Sequence, residues 1–264
     1  MARYKLILAY DGTDFSGYQR QANSRTVQSV VESALREIGW GGKSVLSAGR
    51  TDVGVHACGQ VIAIDVEWSH SHEQLRSAIN ANLPLDVAVH SARPVSAEFH
   101  PRYSALARRY QYRLFCDENR HPTRERYSWR VWPAVSLADL QGSASYLVGI
   151  HDFGAFGTPP RKGGITIREI FQAHWRDELG DLIFEVIGNA FLYRMVRRLV
   201  SLQIEIGQGL KLPQDMSSYL DAGVETPITG MAPAHGLTLV EVIYPSESGG
   251  SDEIITSGSS ILES

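Results

Sequence analysis

Residues 48–57 read AGRTDVGVHA. In this decapeptide the carboxylate of Asp52 stands two residues after Arg50 and two before Gly54, with His56 four residues on. Two readings of that spacing compete. Asp and Thr hydrogen-bond the local backbone and Gly accepts positive φ, so the stretch can be a turn. The alternative is a reactive carboxylate on a rigid loop. Such a group can stabilise or attack a sugar carbon on which positive charge develops, as in glycosidases. A hydrolase of that kind would also need a second carboxylate or metal ligands nearby, and the decapeptide supplies neither. Thr51 reads as a hydrogen-bonding partner of the turn. His56 reads as a residue that orients the loop, with no proton-transfer role. Gly49 and Gly54 let the backbone bend.

The flanking sequence must hold this loop in place. Tyr4–Tyr10 is a short apolar run of strand type, followed by a polar loop over 11–25. Val27, Val30, Val31, Ala34, Leu35 and Ile38 recur at helical spacing and Gly39 ends that helix. Strands are predicted over 43–48, entering the decapeptide, and 59–66, leaving it. Ser71 and Gln74 form a capping box before a helix that buries Leu75, Ala78 and Ile79. Val87–Ala92 is a further strand. The pattern then recurs. Over 105–115, Tyr110, Tyr112 and Leu114 share one face and Arg109, Gln111 and Arg113 the other. A helix capped by Ser136 follows. Then come strands over 165–175 and 182–187, a helix over 190–206 stopped by Gly207, a short helix near 213–222, and a strand over 237–244.

Each half therefore runs strand, helix, strand, strand or turn, helix, strand. That is the βαββαβ order of ferredoxin-like and RRM-like units. The fold class expected is α+β, in two such halves of mainly antiparallel sheet, as one sheet each or one continuous sheet. The boundaries expected are 1–104 and 105–245, with 246–264 a disordered acidic tail poor in aromatics.

Net charge is −4 over 264 residues, of which 43% are hydrophobic and 20% charged, an ordinary globular composition. The tail contributes Glu247, Asp252, Glu253 and Glu263 and no base, so the body is neutral (−4 + 4 = 0). Within the body, Arg102, Arg108, Arg109, Arg113, Arg120, Arg124, Arg126 and Arg130 lie among Tyr103, Tyr110, Tyr112, Tyr127 and Trp129, and Arg194, Arg197 and Arg198 form a second group. Arginine interleaved with aromatics suits phosphate contact and base stacking; surface ion pairs over core tyrosines are the plainer reading. No apolar run is long enough to span a bilayer. The start, MARYKLILAY, reads as a strand, not a signal peptide. Cys58 and Cys116 form neither a disulfide framework nor a metal-ligand pair, which fits a reducing cytoplasm.

Longer stretches are more specific than the decapeptide. YDGTDFSGYQRQ at 10–21, RTVQ at 25–28, AGRTDVGVHA with GQV after it, INANLP at 79–84, FHPRYSALARRYQYRL at 99–114, HDF at 151–153 and FLYRMVR at 191–197 occur in one order. Together they resemble the tRNA pseudouridine synthase A family over about residues 3–244. The resemblance implies an isomerase that converts uridine to pseudouridine at positions 38, 39 and 40 of the tRNA anticodon stem-loop. It implies no cofactor, no metal, no membrane, a homodimer in which one tRNA touches both subunits, and a central RNA-binding cleft faced by the two ferredoxin-like halves of the chain.

By the same resemblance Asp52 is the catalytic nucleophile. Tyr110 is the active-site tyrosine, whose ring can stack on a flipped uracil and whose hydroxyl can relay the C5 proton. Arg197 pairs with the aspartate, and Arg50 is linked to base flipping. Three positions depart from the pattern. Val53 stands for a usual Ala, Tyr18 for a usual Trp with RNA or packing contact retained, and Arg198 for a common Asn. A non-catalytic tRNA-binding module of the same fold is the alternative function.

Overall fold

The computed structural model describes residues 1–159, 161, 163–220 and 228–245. The acidic tail expected over 246–264 lies outside the described residues. The strands are β1 (Ala2–Tyr10), β2 (Leu46–Ser47), β3 (His56–Val66), β4 (Val87–Val95), β5 (Ala107–Cys116), β6 (Trp129–Val131), β7 (Gly149–Asp152), β8 (Ile167–Glu178), β9 (Asp181–Gly188) and β10 (Leu237–Ile243). The helices are α1 (Val27–Glu37), α2 (His72–Asn80), α3 (Leu137–Ser145), α4 (Met195–Gly207) and α5 (Asp215–Ser218).

All ten strands join one sheet, in the order β4-β1-β3-β10-β5-β9-β8-β7, with β2 on β3 and β6 on β5. The sheet is therefore continuous. Its pairings are antiparallel except β10 with β3 and β5 with β6. The last strand closes it: β10 places Leu239 beside Ala57 of β3 on one side and Tyr110 of β5 on the other. Neighbouring strands lie about 4.8 Å apart, so Tyr110 is held about 10 Å from the head of β3, where the decapeptide ends.

Two apolar cores stabilise the two ends of the sheet. One gathers Leu6, Leu8, Leu35, Ile62, Leu75 and Ile79 beneath α1 and α2. The other gathers Leu114, Leu140, Phe153, Trp175, Phe184 and Leu199 around α3 and α4. Each fully buried Leu, Ile or Phe contributes about 1.5–3 kcal/mol. Tyr110 packs against both cores. The alternation read in β5 holds, with Tyr112 and Leu114 fully buried and Arg109, Gln111 and Arg113 half-buried. The capping box at Ser71 and Gln74 forms as expected, and Thr26 with Ser29 forms another at α1.

Three expectations change. The helix expected over 190–206 begins at Met195, because Tyr193 is drawn into a β-bridge with Thr158 and Arg194 takes the left-handed conformation at φ 65°. It runs through Gly207, so the terminator is Gly209 at φ 75°. Gly207 is small for packing: a Cβ there would lie 3.0 Å from Val135 and Leu140. The strand expected over 43–48 shrinks to Leu46–Ser47, and β6 and β7 were not expected. Among the described residues, no helix is long and apolar enough to cross a membrane.

Candidate active site

The decapeptide leaves β2 and turns before β3, and it is gripped from three sides. From β1, the Tyr10 hydroxyl bonds the Thr51 hydroxyl at 2.8 Å. From the loop after β1, the Tyr18 amide donates to the Thr51 carbonyl at 3.1 Å. From β3, buried Gln60 donates to the Gly49 carbonyl at 3.1 Å. The Val55 amide closes a turn on the Asp52 carbonyl at 3.2 Å, and Gly54 adopts φ 76° within it. Gly12 allows the closest approach: a Cβ there would fall 2.1 Å from the Val55 carbonyl oxygen. The turn reading is met. It is a turn, and it is rigidly held.

The Asp52 side chain meets Arg197 in the first turn of α4. Arg197 donates from Nη1 to Asp52 Oδ2 at 3.2 Å. Side-chain exposures of 18% for Asp52 and 11% for Arg197 put the pair at the edge of the interior. Arg197 is itself fixed. Its Nε donates to the Ala232 carbonyl at 2.7 Å, and the Ala232 amide returns a bond to the Arg197 carbonyl at 3.1 Å. A guanidinium so held presents one N–H to the carboxylate in a fixed direction.

Tyr110 enters from β5, with its ring edge-on to Phe191 at 5.1 Å. Burial pushes its hydroxyl above the ordinary tyrosine range, with the neighbouring Tyr10 and the Asp52 charge adding to the rise. It therefore carries its proton at neutral pH. Arg50 is exposed and makes no hydrogen bond or ion pair among the described residues. The fold brings Asp52, Arg197 and Tyr110 together and leaves Arg50 at the rim beside them.

The arginine clusters divide. Of the first group, Arg109 pairs with Glu241, Arg113 and Arg124 with Asp181, Arg120 and Arg130 with Glu125, and Arg126 with Asp11. Arg108 donates to the carbonyls of Asn189, Ala48 and Arg102, tying β5 to the residue that opens the decapeptide. Most of this group is structural. Arg102 and Arg194 remain exposed, beside the exposed rings of Tyr103 and Tyr193. Of the departures, Tyr18 is buried beneath the loop, so its contact is packing, while Val53 is exposed beside Asp52. Arg198 donates to the Phe156 carbonyl at 3.3 Å. Among the described residues, no three His, Cys, Asp or Glu side chains converge as metal ligands.

Sequence reading passed over the support. Tyr10 opens the motif YDGTDFSGYQRQ and Gln60 lies in GQV, but neither motif signals a bond to the decapeptide. The segment 232–236, which holds Arg197, read only as a loop before β10. Its Pro233 and Gly236 were the available signal of a tight approach.

A family model described as tRNA pseudouridine synthase matches residues 6–104 and 143–245. Curated relatives named tRNA pseudouridine synthase A match nearly end to end. One from Shouchella clausii is 40% identical over 246 residues, covering 92% of this chain and 94% of that protein. One from Geobacillus kaustophilus is 40% identical over 247 residues, covering 93% and 95%. One from Limosilactobacillus fermentum is 39% identical over 251 residues, covering 93% and 97%.

Proposed function

The chain belongs to the tRNA pseudouridine synthase family, and from that membership we propose that it isomerises uridines 38, 39 and 40 of the tRNA anticodon stem-loop with Asp52 as the nucleophile. In this reaction the bond between uracil N1 and ribose C1′ breaks, the base turns within the site, and C5 bonds to C1′. C5 gives up its hydrogen as a proton and N1 gains one, so the product is an isomer. Positive charge develops at C1′ as the first bond breaks, and a carboxylate answers it by attack or by charge. Uracil stays in the site, so no second carboxylate is needed to expel it.

The single observation that carries this reading is the Asp52–Arg197 pair at 3.2 Å on a turn gripped from three sides. A pure RNA binder has no use for a carboxylate set among phosphates, which it repels. Tyr110, protonated and half-buried between the two cores, offers a ring to the uracil and a hydroxyl to relay the C5 proton. Arg50, exposed beside the turn, fills the space the flipped base vacates. Arg102 and Arg194, each beside an exposed tyrosine, take phosphates and stacked bases.

The fold we assign is two ferredoxin-like halves, 1–104 and 105–245, whose sheets fuse into one through β10 and whose faces form the RNA cleft. The orders β4-β1-β3-β2 and β10-β5-β9-β8 support it, as does the family match in two stretches. The enzyme is assigned as a cytoplasmic homodimer that needs no cofactor. The test is an anticodon stem-loop RNA carrying a single uridine at each position in turn. Pseudouridine at 38, 39 and 40 is expected; conversion elsewhere, or at none, overturns the assignment.

A further inference from the structure

We propose, resting on the reading of Asp52 as the reacting carboxylate, that His56 is a positioning residue: its ring ties segment 232–236 to the head of β3, and that segment fixes Arg197 against Asp52. His56 is buried, 5% exposed, four residues after Asp52. Its Nδ1 lies 3.0 Å from the Gly12 amide, a donor, and its Nε2 lies 3.2 Å from the His235 carbonyl, an acceptor. One tautomer satisfies both: Nδ1 bare and Nε2 protonated.

The far end of that second bond leads back to the reacting pair. His235 sits in the 3-10 turn Ala234–Gly236. Three residues earlier, Ala232 exchanges two hydrogen bonds with Arg197. Between them the Pro233 carbonyl accepts from the Tyr112 hydroxyl at 2.9 Å, and Gly236 lies so close that a Cβ would fall 2.6 Å from the Tyr112 ring. Ala234 flanks the turn, its Cβ 3.2 Å from where a Cβ on Gly54 would be. The contacts form a closed circuit from Asp52 through Arg197, Ala232, His235 and His56 back along four residues to Asp52.

The Nδ1 edge of His56 also faces charge. Asp11 Oδ1 is 3.2 Å from Nδ1. Asp11 is held in turn by Arg126 and by the Tyr127 hydroxyl, each at 2.8 Å, and by Thr13. The Tyr127 ring lies 5.1 Å from the imidazole. Asp11, Arg126, Tyr127 and His235 thus surround the ring, with Glu125 and Arg197 acting on His235 beyond it. Burial outweighs the Asp11 charge and pushes His56 below the ordinary histidine range, which keeps Nδ1 free for Gly12.

Two near-isosteres separate the two ring nitrogens. Asn reaches as far as Nδ1 and keeps the Gly12 bond; Gln reaches as far as Nε2 and keeps the bond to His235. Single-turnover rates at saturating tRNA, tRNA affinity and Tm are measured for the full-length protein. His56→Gln is expected within about threefold of wild type and His56→Asn about 10- to 100-fold slower, since displacing a reacting group by about 1 Å costs up to about 100-fold. Affinity stays within about twofold, because the side chain is buried, and Tm falls by a similar amount in both variants, because each loses one of the two hydrogen bonds of the ring. His56→Asn added to Arg197→Met costs nothing further, since both act through one pair. Should His56→Asn fold poorly, Tyr112→Phe loosens the same segment while keeping its ring, and slows turnover about threefold or more by the same displacement. Equal rates for His56→Asn and His56→Gln, or full additivity with Arg197→Met, overturns the proposal. Asp52→Asn separates the premise from it. An active Asp52→Asn enzyme removes the reading of Asp52, whereas an inactive one beside a fully active His56→Asn removes the tether alone.

Discussion

Replacing Arg197 by Met keeps the volume of the side chain and removes its charge and its donors. At 3.2 Å and an effective dielectric of about 20, the gross attraction between two unit charges is about 5 kcal/mol. The whole of it is not lost. Asp52 is 18% exposed, so water takes over part of the work of the guanidinium, and about 2–3 kcal/mol remains as the cost of a carboxylate no longer held and aimed, below the 3–5 kcal/mol of a fully buried pair. That corresponds to a rate about 30- to 160-fold slower. Arg197→Lys restores the charge but not the Nε bond to Ala232, and its loss is smaller, about tenfold, the value of one charge-assisted hydrogen bond. The assay is single-turnover conversion at saturating tRNA, with affinity measured separately. Arg197→Met within threefold of wild type, while Asp52→Asn is inactive, would show that the ion pair is incidental to the reaction.

Other outcomes follow from the same geometry. Tyr110→Phe keeps the ring and loses the hydroxyl; product formation should fall about 100-fold if the hydroxyl relays the C5 proton, and an unchanged rate would assign the ring to stacking alone. Gly12→Ala drives a Cβ to within 2.1 Å of the Val55 carbonyl, so it should destabilise by about 2–3 kcal/mol and slow turnover in the folded fraction; an unchanged Tm would contradict the tight fit. Both His56 and His235 are held below the ordinary histidine range, chiefly by burial, so the unfolded chain takes up protons first and stability should decline as pH falls below about 6.5. For Asp11, burial pushes the carboxyl up, but the bonds from Thr13, Arg126 and Tyr127 prevail and hold it low, adding a second decline below about pH 4. Chemical denaturation against pH reads both steps, and a flat curve from pH 8 to 5 would refute the first.

Much of the fold was legible because local signals were strong. The alternation in β5 and the capping box at Ser71 reappear where the sequence placed them. The start of α4 was not legible. AFLYRMVR has helical spacing throughout, but the Thr158 bridge is 35 residues away in sequence and pulls Tyr193 into extended backbone. The arginine clusters show a similar limit. Composition cannot tell a free guanidinium from one paired with Asp181 or Glu125, because those partners arrive by folding. In the site, Asp52 and Arg197 were reached through motif resemblance. Their contact depends on β10, which closes the sheet between β3 and β5. The segment 232–236, between them in space, carries no motif, and its role is visible only once its two bonds to Arg197 are seen.

The most direct test of the central claim uses tRNA with uracil tritiated at C5, incubated with wild-type protein and with Asp52→Asn at matched folding and matched tRNA binding. C5 loses its hydrogen only when a new bond forms there. Tritium release by the wild type, with none above background from Asp52→Asn, is the result predicted. Equal release by both would contradict the assignment of Asp52 as the reacting group, and release by neither would leave an RNA-binding protein without the isomerase activity.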